Sequence, residues 1–201
     1  MEPRYASAPM RWTIEDAAGM HEFGRDLAGL LREGDLVVLT GPLGAGKTTL
    51  TRGLGEGLRV RGSVTSPTFV LARTHPSTAG GPPLVHVDAY RLASAVELDD
   101  LDIDFATSIV VVEWGRGMLD GIADSWLDIE IERPTGASEA LRPGAADVAA
   151  ADAAGADASV DEALNLDFDL DEPRTVTITA FGPRWAAAAS EFDGDSGQKR
   201  A

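Results

Sequence analysis

The chain has 201 residues, 44% of them apolar and 25% charged, and its 33 acids against 17 Lys and Arg give a net charge of −16. That length suits a single domain with a sizeable core, while so acidic a balance disfavours wrapping of nucleic acid or binding to an anionic membrane, both of which need clustered cations. Cysteine is missing, which excludes disulfides, thiolate metal sites and thiol nucleophiles, and His21, His75 and His86 lack the paired spacing of a zinc site.

Residues 1–11 carry charges and two prolines but no apolar run of the signal-peptide kind. The longest aliphatic stretches are strand-sized, far short of a membrane span. The expected location is the cytoplasm. Thr13, Ile14, Glu15 and Asp16 have the form of a capping box, which predicts an amphipathic helix from there to about Leu31. A turn at Gly34 and Asp35 leads into 36–40, a continuous apolar run of the kind buried on both faces in a parallel sheet. A glycine-rich loop and a second helix, over about 48–58, come next.

Residues 69–73 and 84–87, separated by the turn-rich 75–83, predict an antiparallel hairpin. Residues 109–112 form another buried-type strand. Two segments, 126–131 and 175–179, alternate with period two and predict half-solvated strands that pair with each other. The expected fold is a single three-layer α/β domain with a mixed sheet. Between those last two strands, residues 134–172 hold twelve alanines and ten acids against one base, Arg142. So little large apolar surface cannot offset the entropy of ordering, so a disordered hairpin loop is expected there. It would split a core at 1–133 from a completing segment at 173–190, with 191–201 a second solvated tail. An acidic lure for a basic partner is the alternative reading of the insertion.

Residues 41–48 read Gly-Pro-Leu-Gly-Ala-Gly-Lys-Thr, which fits the G-x-x-x-x-G-K-[ST] phosphate loop between a buried strand and a helix. Gly41, Gly44, Ala45 and Gly46 would let backbone N–H groups curl around phosphates, with Thr49 following at the helix N-terminus. Lys47 can reach the β- and γ-phosphates, and the Thr48 hydroxyl can bind Mg²⁺. The chain has 15 arginines and only two lysines, and the one lysine outside the tail is Lys47. An ammonium is kept where a compact charge must enter a phosphate cradle. The sequence therefore predicts a nucleotide-binding protein.

A phosphate loop needs a strand-end carboxylate to complete its Mg²⁺ site. Two strands end suitably, at Asp88 and at Glu113, and the residue pattern does not rank them. Between the loop and Asp88, Ser66 and Thr68 flank Pro67 in a segment suited to folding over a γ-phosphate as a switch, or simply to entering a strand. Trp114 reads as core packing by default, or as an aromatic lid.

The phosphate loop, Ser66-Pro67-Thr68-Phe69, His86 to Leu92 (His-Val-Asp-Ala-Tyr-Arg-Leu) and Glu113-Trp114 occur in the order and spacing of the TsaE (YjeE) family, small bacterial P-loop ATPases that this chain resembles over about 13–133 and again over 174–185. The resemblance implies a P-loop NTPase-like fold. It also implies a partner ATPase, using ATP and Mg²⁺, that binds the TsaD–TsaB pair. That pair forms N6-threonylcarbamoyladenosine beside the anticodon of tRNAs reading codons that begin with A. Carried over by motif, Lys47 would bind the phosphates, Thr48 and Glu113 would hold Mg²⁺, and Asp88 would be a further essential acid, acting through water or as a base. Ser66 to Thr68 would be the switch, and Arg174 an arginine contact to the nucleotide. Pro42 departs from the family pattern, which has Asp there, and removes one N–H from the cradle. Ala89 also departs, standing where a larger apolar residue is common. A small-molecule kinase and an ATP-dependent scaffold with incidental hydrolysis are the alternative functions.

Overall fold

The computed structural model describes residues 6–119, 122–133 and 172–186. The expected insertion, apart from Glu172, and the expected tail lie outside those ranges. Seven strands form one mixed sheet: β1 (Met10–Ile14), β2 (Leu36–Thr40), β3 (Ala72–His75), β4 (Leu84–Asp88), β5 (Ile109–Glu113), β6 (Trp126–Glu132) and β7 (Arg174–Phe181). Their order is β1-β7-β6-β2-β5-β4-β3. Strands β6, β2, β5 and β4 run parallel, and β7, β1 and β3 are antiparallel to their neighbours.

Helices α1 (Ala17–Ala28) and α2 (Lys47–Gly57) cover one face of the sheet, joined there by the buried Trp185 of the short α4 (Pro183–Ala186). The other face carries a second core around the short α3 (Ala95–Asp99) and its flanking loops. Period two sorts each central strand between these layers. Val37, Leu39, Ile109 and Val111 face α1 and α2, while Leu36, Val38, Val110 and Val112 face the other layer. This is the expected three-layer α/β domain, and β6 and β7 pair antiparallel from Trp126↔Phe181 to Glu132↔Thr175.

Two boundaries differ from the sequence reading. Residues 13 and 14 do not open a helix; they end β1, whose Met10, Trp12 and Ile14 alternate onto the helix-side core while the strand pairs with β7. The cap of α1 is Asp16, whose carboxylate accepts the Gly19 N–H at 2.7 Å. The helix ends at Ala28 rather than near Leu31. In the hairpin, β3 starts at Ala72, because the Val70 and Leu71 amides both turn back to the Pro67 carbonyl and Leu71 takes a left-handed φ of 64°. Phe69 and Val70 are consequently exposed, and His75, expected in the turn, is the last residue of the strand.

The helices α1 and α2 cross at glycines. A Cβ on Gly24 would collide with the Leu50 carbonyl oxygen, and one on Gly53 with the His21 carbonyl oxygen. Only the missing side chains allow this backbone contact, which sets the height of α2, and therefore of the phosphate loop ahead of it, over the sheet. At the other end of β2, the Arg184 guanidinium holds the buried Asp35 carboxylate at 3.0 and 3.1 Å and the Leu30 carbonyl at 3.0 Å.

Gly53→Ala adds helix propensity worth up to about 1 kcal/mol, but the overpacking typically costs about 1–3 kcal/mol. Urea denaturation is expected to show a net loss of stability; a gain would mean that the helices separate freely. A second expectation concerns the insertion. Glu132 and Thr175 are already partners in the ladder, so a short loop can close the hairpin. Deleting 137–169 is expected to leave the melting temperature and nucleotide affinity close to those of the full chain, and a loss of binding would assign the insertion to the site.

Candidate functional site

The parallel strands β2, β5 and β4 end at one edge of the sheet, and the loop from β2 to α2 crosses that edge. Gly41 lies so close to the Ile131 carbonyl at the end of β6 that a Cβ would not fit. Gly46, the N-cap of α2, has a φ of 106° and provides no side-chain cap. The first N–H groups of α2 thus have no side-chain cap, whereas in α1 Asp16 accepts the Gly19 N–H. Thr49 stands in the first turn of α2, half-buried, and Ala45 is fully buried in the loop.

Lys47 is buried to 5% exposure. Its Nζ donates to the carbonyls of Gly41 at 2.9 Å and Pro42 at 3.1 Å, and lies 3.8 Å from the centre of the Trp114 ring. Burial pushes the Lys47 ammonium below its ordinary pKa, against the opposing pull of Glu113 and Asp88. Trp114 has a left-handed φ of 65°, uncommon for a bulky residue and a form of strain concentrated at functional sites. This bend brings its ring under the ammonium, with Tyr90 packed edge-on at 5.5 Å. Trp114 therefore supports the loop lysine instead of filling either core.

In the β4–β5 ladder Asp88 stands opposite Glu113, and both project toward the α2 layer with Leu84, His86, Ile109 and Val111. Glu113 Oε1 accepts two bonds of 2.9 Å, one from the Thr48 hydroxyl and one shared with His86 Nε2. Burial pushes the Glu113 carboxyl up, but His86, Lys47 and Thr48 together outweigh it and hold the group below its usual range. It is an anion at neutral pH, touching the residue that the motif assigns to the metal.

Asp88 Oδ2 accepts the Thr68 hydroxyl at 2.7 Å, with the Ser66 hydroxyl at 3.5 Å from the same oxygen and 2.8 Å from Thr68. Oδ1 accepts the Tyr90 N–H at 3.0 Å. The sequence-derived switch and the second acid are thus one hydrogen-bonded unit. Arg174 lies apart from it, buried at the start of β7 and two strands over from β2, where its guanidinium donates to the Glu172 carbonyl at 2.8 Å.

Lys47, Thr48, Asp88, Glu113, Ser66 and Thr68, singled out from sequence, gather at this edge. His86 and Trp114 were named from sequence, His86 within its motif and Trp114 as core or lid, but neither contact was foreseen. His86 shares its face with Asp88 by simple period two, and that parity was the available signal. The contact of Trp114 with Lys47 depends on a positive φ that no residue pattern announces. Around the edge, Leu43, Phe69, Val70 and Tyr90 are each more than half exposed. No helix among the described residues is long and apolar enough to cross a membrane.

The family model for threonylcarbamoyl adenosine biosynthesis protein TsaE matches residues 14–140. A tRNA threonylcarbamoyladenosine biosynthesis protein TsaE of Streptomyces coelicolor is 51% identical over 172 residues, covering 84% of this chain and 95% of the relative. The protein of the same name from Mycobacterium leprae is 46% identical over 129 residues, 60% of this chain and 78% of that one. Among solved structures, Bacillus subtilis YdiB superposes with a TM-score of 0.60 at 24% identity, over 92% of this chain and 95% of that one, a likeness of fold. With the family model matched across more than half of its length, this chain belongs to the TsaE family.

Proposed function

We propose that the protein is a Mg²⁺-dependent ATPase that assists a TsaD–TsaB type complex in forming N6-threonylcarbamoyladenosine in tRNAs reading codons that begin with A. The observation that carries the ATPase reading is the 2.9 Å bond between the Thr48 hydroxyl and Glu113 Oε1, beside the Lys47 ammonium. It joins the loop residue and the strand-end acid that a phosphate-bound cation requires.

The donors fit that cation. A hydroxyl and an ionised carboxylate are hard oxygen ligands of the kind Mg²⁺ prefers. When bound, Mg²⁺ would neutralise charge on the phosphates and polarise the bond that breaks. The residues themselves do the rest. Lys47 exchanges its two carbonyl acceptors for phosphate oxygens, and the uncapped N–H groups of α2 take the remaining negative charge. Asp88, tied to Ser66 and Thr68, is suited to orient an attacking water or take its proton, and the two hydroxyls would report the γ-phosphate to the surface. Arg174 remains the proposed arginine contact at the same sheet edge, once it releases the Glu172 carbonyl.

Two observations support a protein partner. Three loops of the site expose Leu43, Phe69, Val70 and Tyr90 around it, an apolar rim that suits docking to another protein. The net charge of −16 argues against direct tRNA binding. The kinase alternative needs arginines over the phosphates. Arg116 is spent on Asp128 at 3.3 Å and Glu130 at 3.1 Å, on the sheet face opposite Glu113. Arg91 rests over the Phe69 ring at 5.5 Å.

Phosphate release by the full chain, alone and with cognate TsaD–TsaB, tests the proposal. The pair is expected to raise the rate, and Lys47→Ala and Glu113→Ala are each expected to lower it by about 10²-fold or more, the size typical of removing one preorganised charge. An unstimulated rate indifferent to both substitutions, or transfer of phosphate to an added small molecule, would overturn it.

A further inference from the structure

We infer that His86 is a positioning residue for the metal site, its Nε2–H fixing Glu113 Oε1 so that this carboxylate and the Thr48 hydroxyl meet a cation in one arrangement. The inference rests on the reading of Thr48 and Glu113 as Mg²⁺ ligands and deepens it. His86 is fully buried in the middle of β4. It pairs with Val111 in the ladder, two residues behind Asp88↔Glu113 and on the same face, so its ring reaches diagonally forward to the carboxylate. An ionised carboxylate is an acceptor only, so the 2.9 Å contact requires a proton on Nε2.

The other ring nitrogen, Nδ1, is buried with no hydrogen-bond partner. A leucine would fill the same volume without leaving a polar atom unpaired, so packing does not account for an imidazole here. What the imidazole adds is the bond to Glu113. Because Oε1 takes both His86 and Thr48, the carboxylate is held from two sides. No donor among the described residues bonds to Oε2, which stays available to a cation or its water. The hydroxyl of Thr48 spends its single proton on Oε1, so its lone pairs are likewise left for the cation. Without His86 the carboxylate would be held by Thr48 alone and free to turn about it.

The test uses the full chain, a fluorescent ATP analogue, and titration of Mg²⁺, with binding in EDTA as the reference. His86→Leu is expected to weaken the Mg²⁺ dependence of nucleotide binding by about 10–100-fold, the usual cost of losing a partner of a metal ligand, while affinity in EDTA stays unchanged. His86→Gln, which can present an N–H at the same reach, is expected to recover most of the loss. Wild-type Mg²⁺ dependence in His86→Leu, or an equal loss with and without Mg²⁺, would overturn the inference. If His86→Leu does not fold, the ¹⁵N spectrum of the wild-type rings decides, since the chain has only three histidines. A protonated Nε2 on His86 is expected, and an unprotonated one overturns the inference. Glu113→Gln separates the two levels. Nucleotide binding indifferent to Mg²⁺ in the wild type, or unaffected by Glu113→Gln, would overturn the metal reading itself; a response to Glu113→Gln without one to His86→Leu removes His86 alone.

Discussion

The parallel register of β2, β5 and β4 is the constraint on which the site depends. Because Asp88 falls opposite Glu113 and Leu39 opposite Glu113 on the other side, the two acids and the start of the phosphate loop reach the same sheet edge together. A one-residue slip of either strand would turn its own carboxylate into the opposite core. The glycine crossing of α1 and α2 fixes the remaining coordinate, the height of Lys47 and Thr48 above that edge. Neither feature is chemical in itself, yet the 2.9 Å bond from Thr48 to Glu113 requires both.

Charge then decides what such an edge can hold. Two buried carboxylates and one buried ammonium stand within reach of each other, and each acid is tied down by hydroxyls, an imidazole or a backbone N–H. Lys47 stacks on Trp114 and bonds two loop carbonyls, partners that phosphate oxygens can replace at little cost because they are neutral. The site thus sets a buried ammonium on one side against two buried carboxylates on the other, a charge pattern that supports the proposed metal-bound nucleotide. The strained Trp114 and the turn at Leu71 bracket this region, one behind Glu113 and the other behind the Ser66–Thr68 segment.

Much of this was legible in the residues. The phosphate loop, the strand-end acids and the pairing of 126–131 with 175–179 are local patterns, each set by spacing that the sheet or the helix start imposes. What escaped depends on contacts between distant segments. Residues 10–14 form a strand only because β7 offers them an edge, so the local capping pattern at Thr13 misled. Gly24 and Gly53 look like helix weaknesses until the two backbones are seen to touch. His86 read as one of three unpaired histidines, since its partner lies 27 residues on, in another strand. The strand boundary at Ala72 turned on the φ of Leu71, which a bulky residue seldom adopts.

The most direct measurement is a crystal structure of the full chain with Mg²⁺ and a non-hydrolysable ATP analogue. The account predicts the cation between the Thr48 hydroxyl and Glu113, directly or through one water. It also predicts that Lys47 will have left the Gly41 and Pro42 carbonyls for the β- and γ-phosphates. An analogue bound elsewhere, or a lysine still bonded to those carbonyls with a cation remote from Glu113, would contradict it.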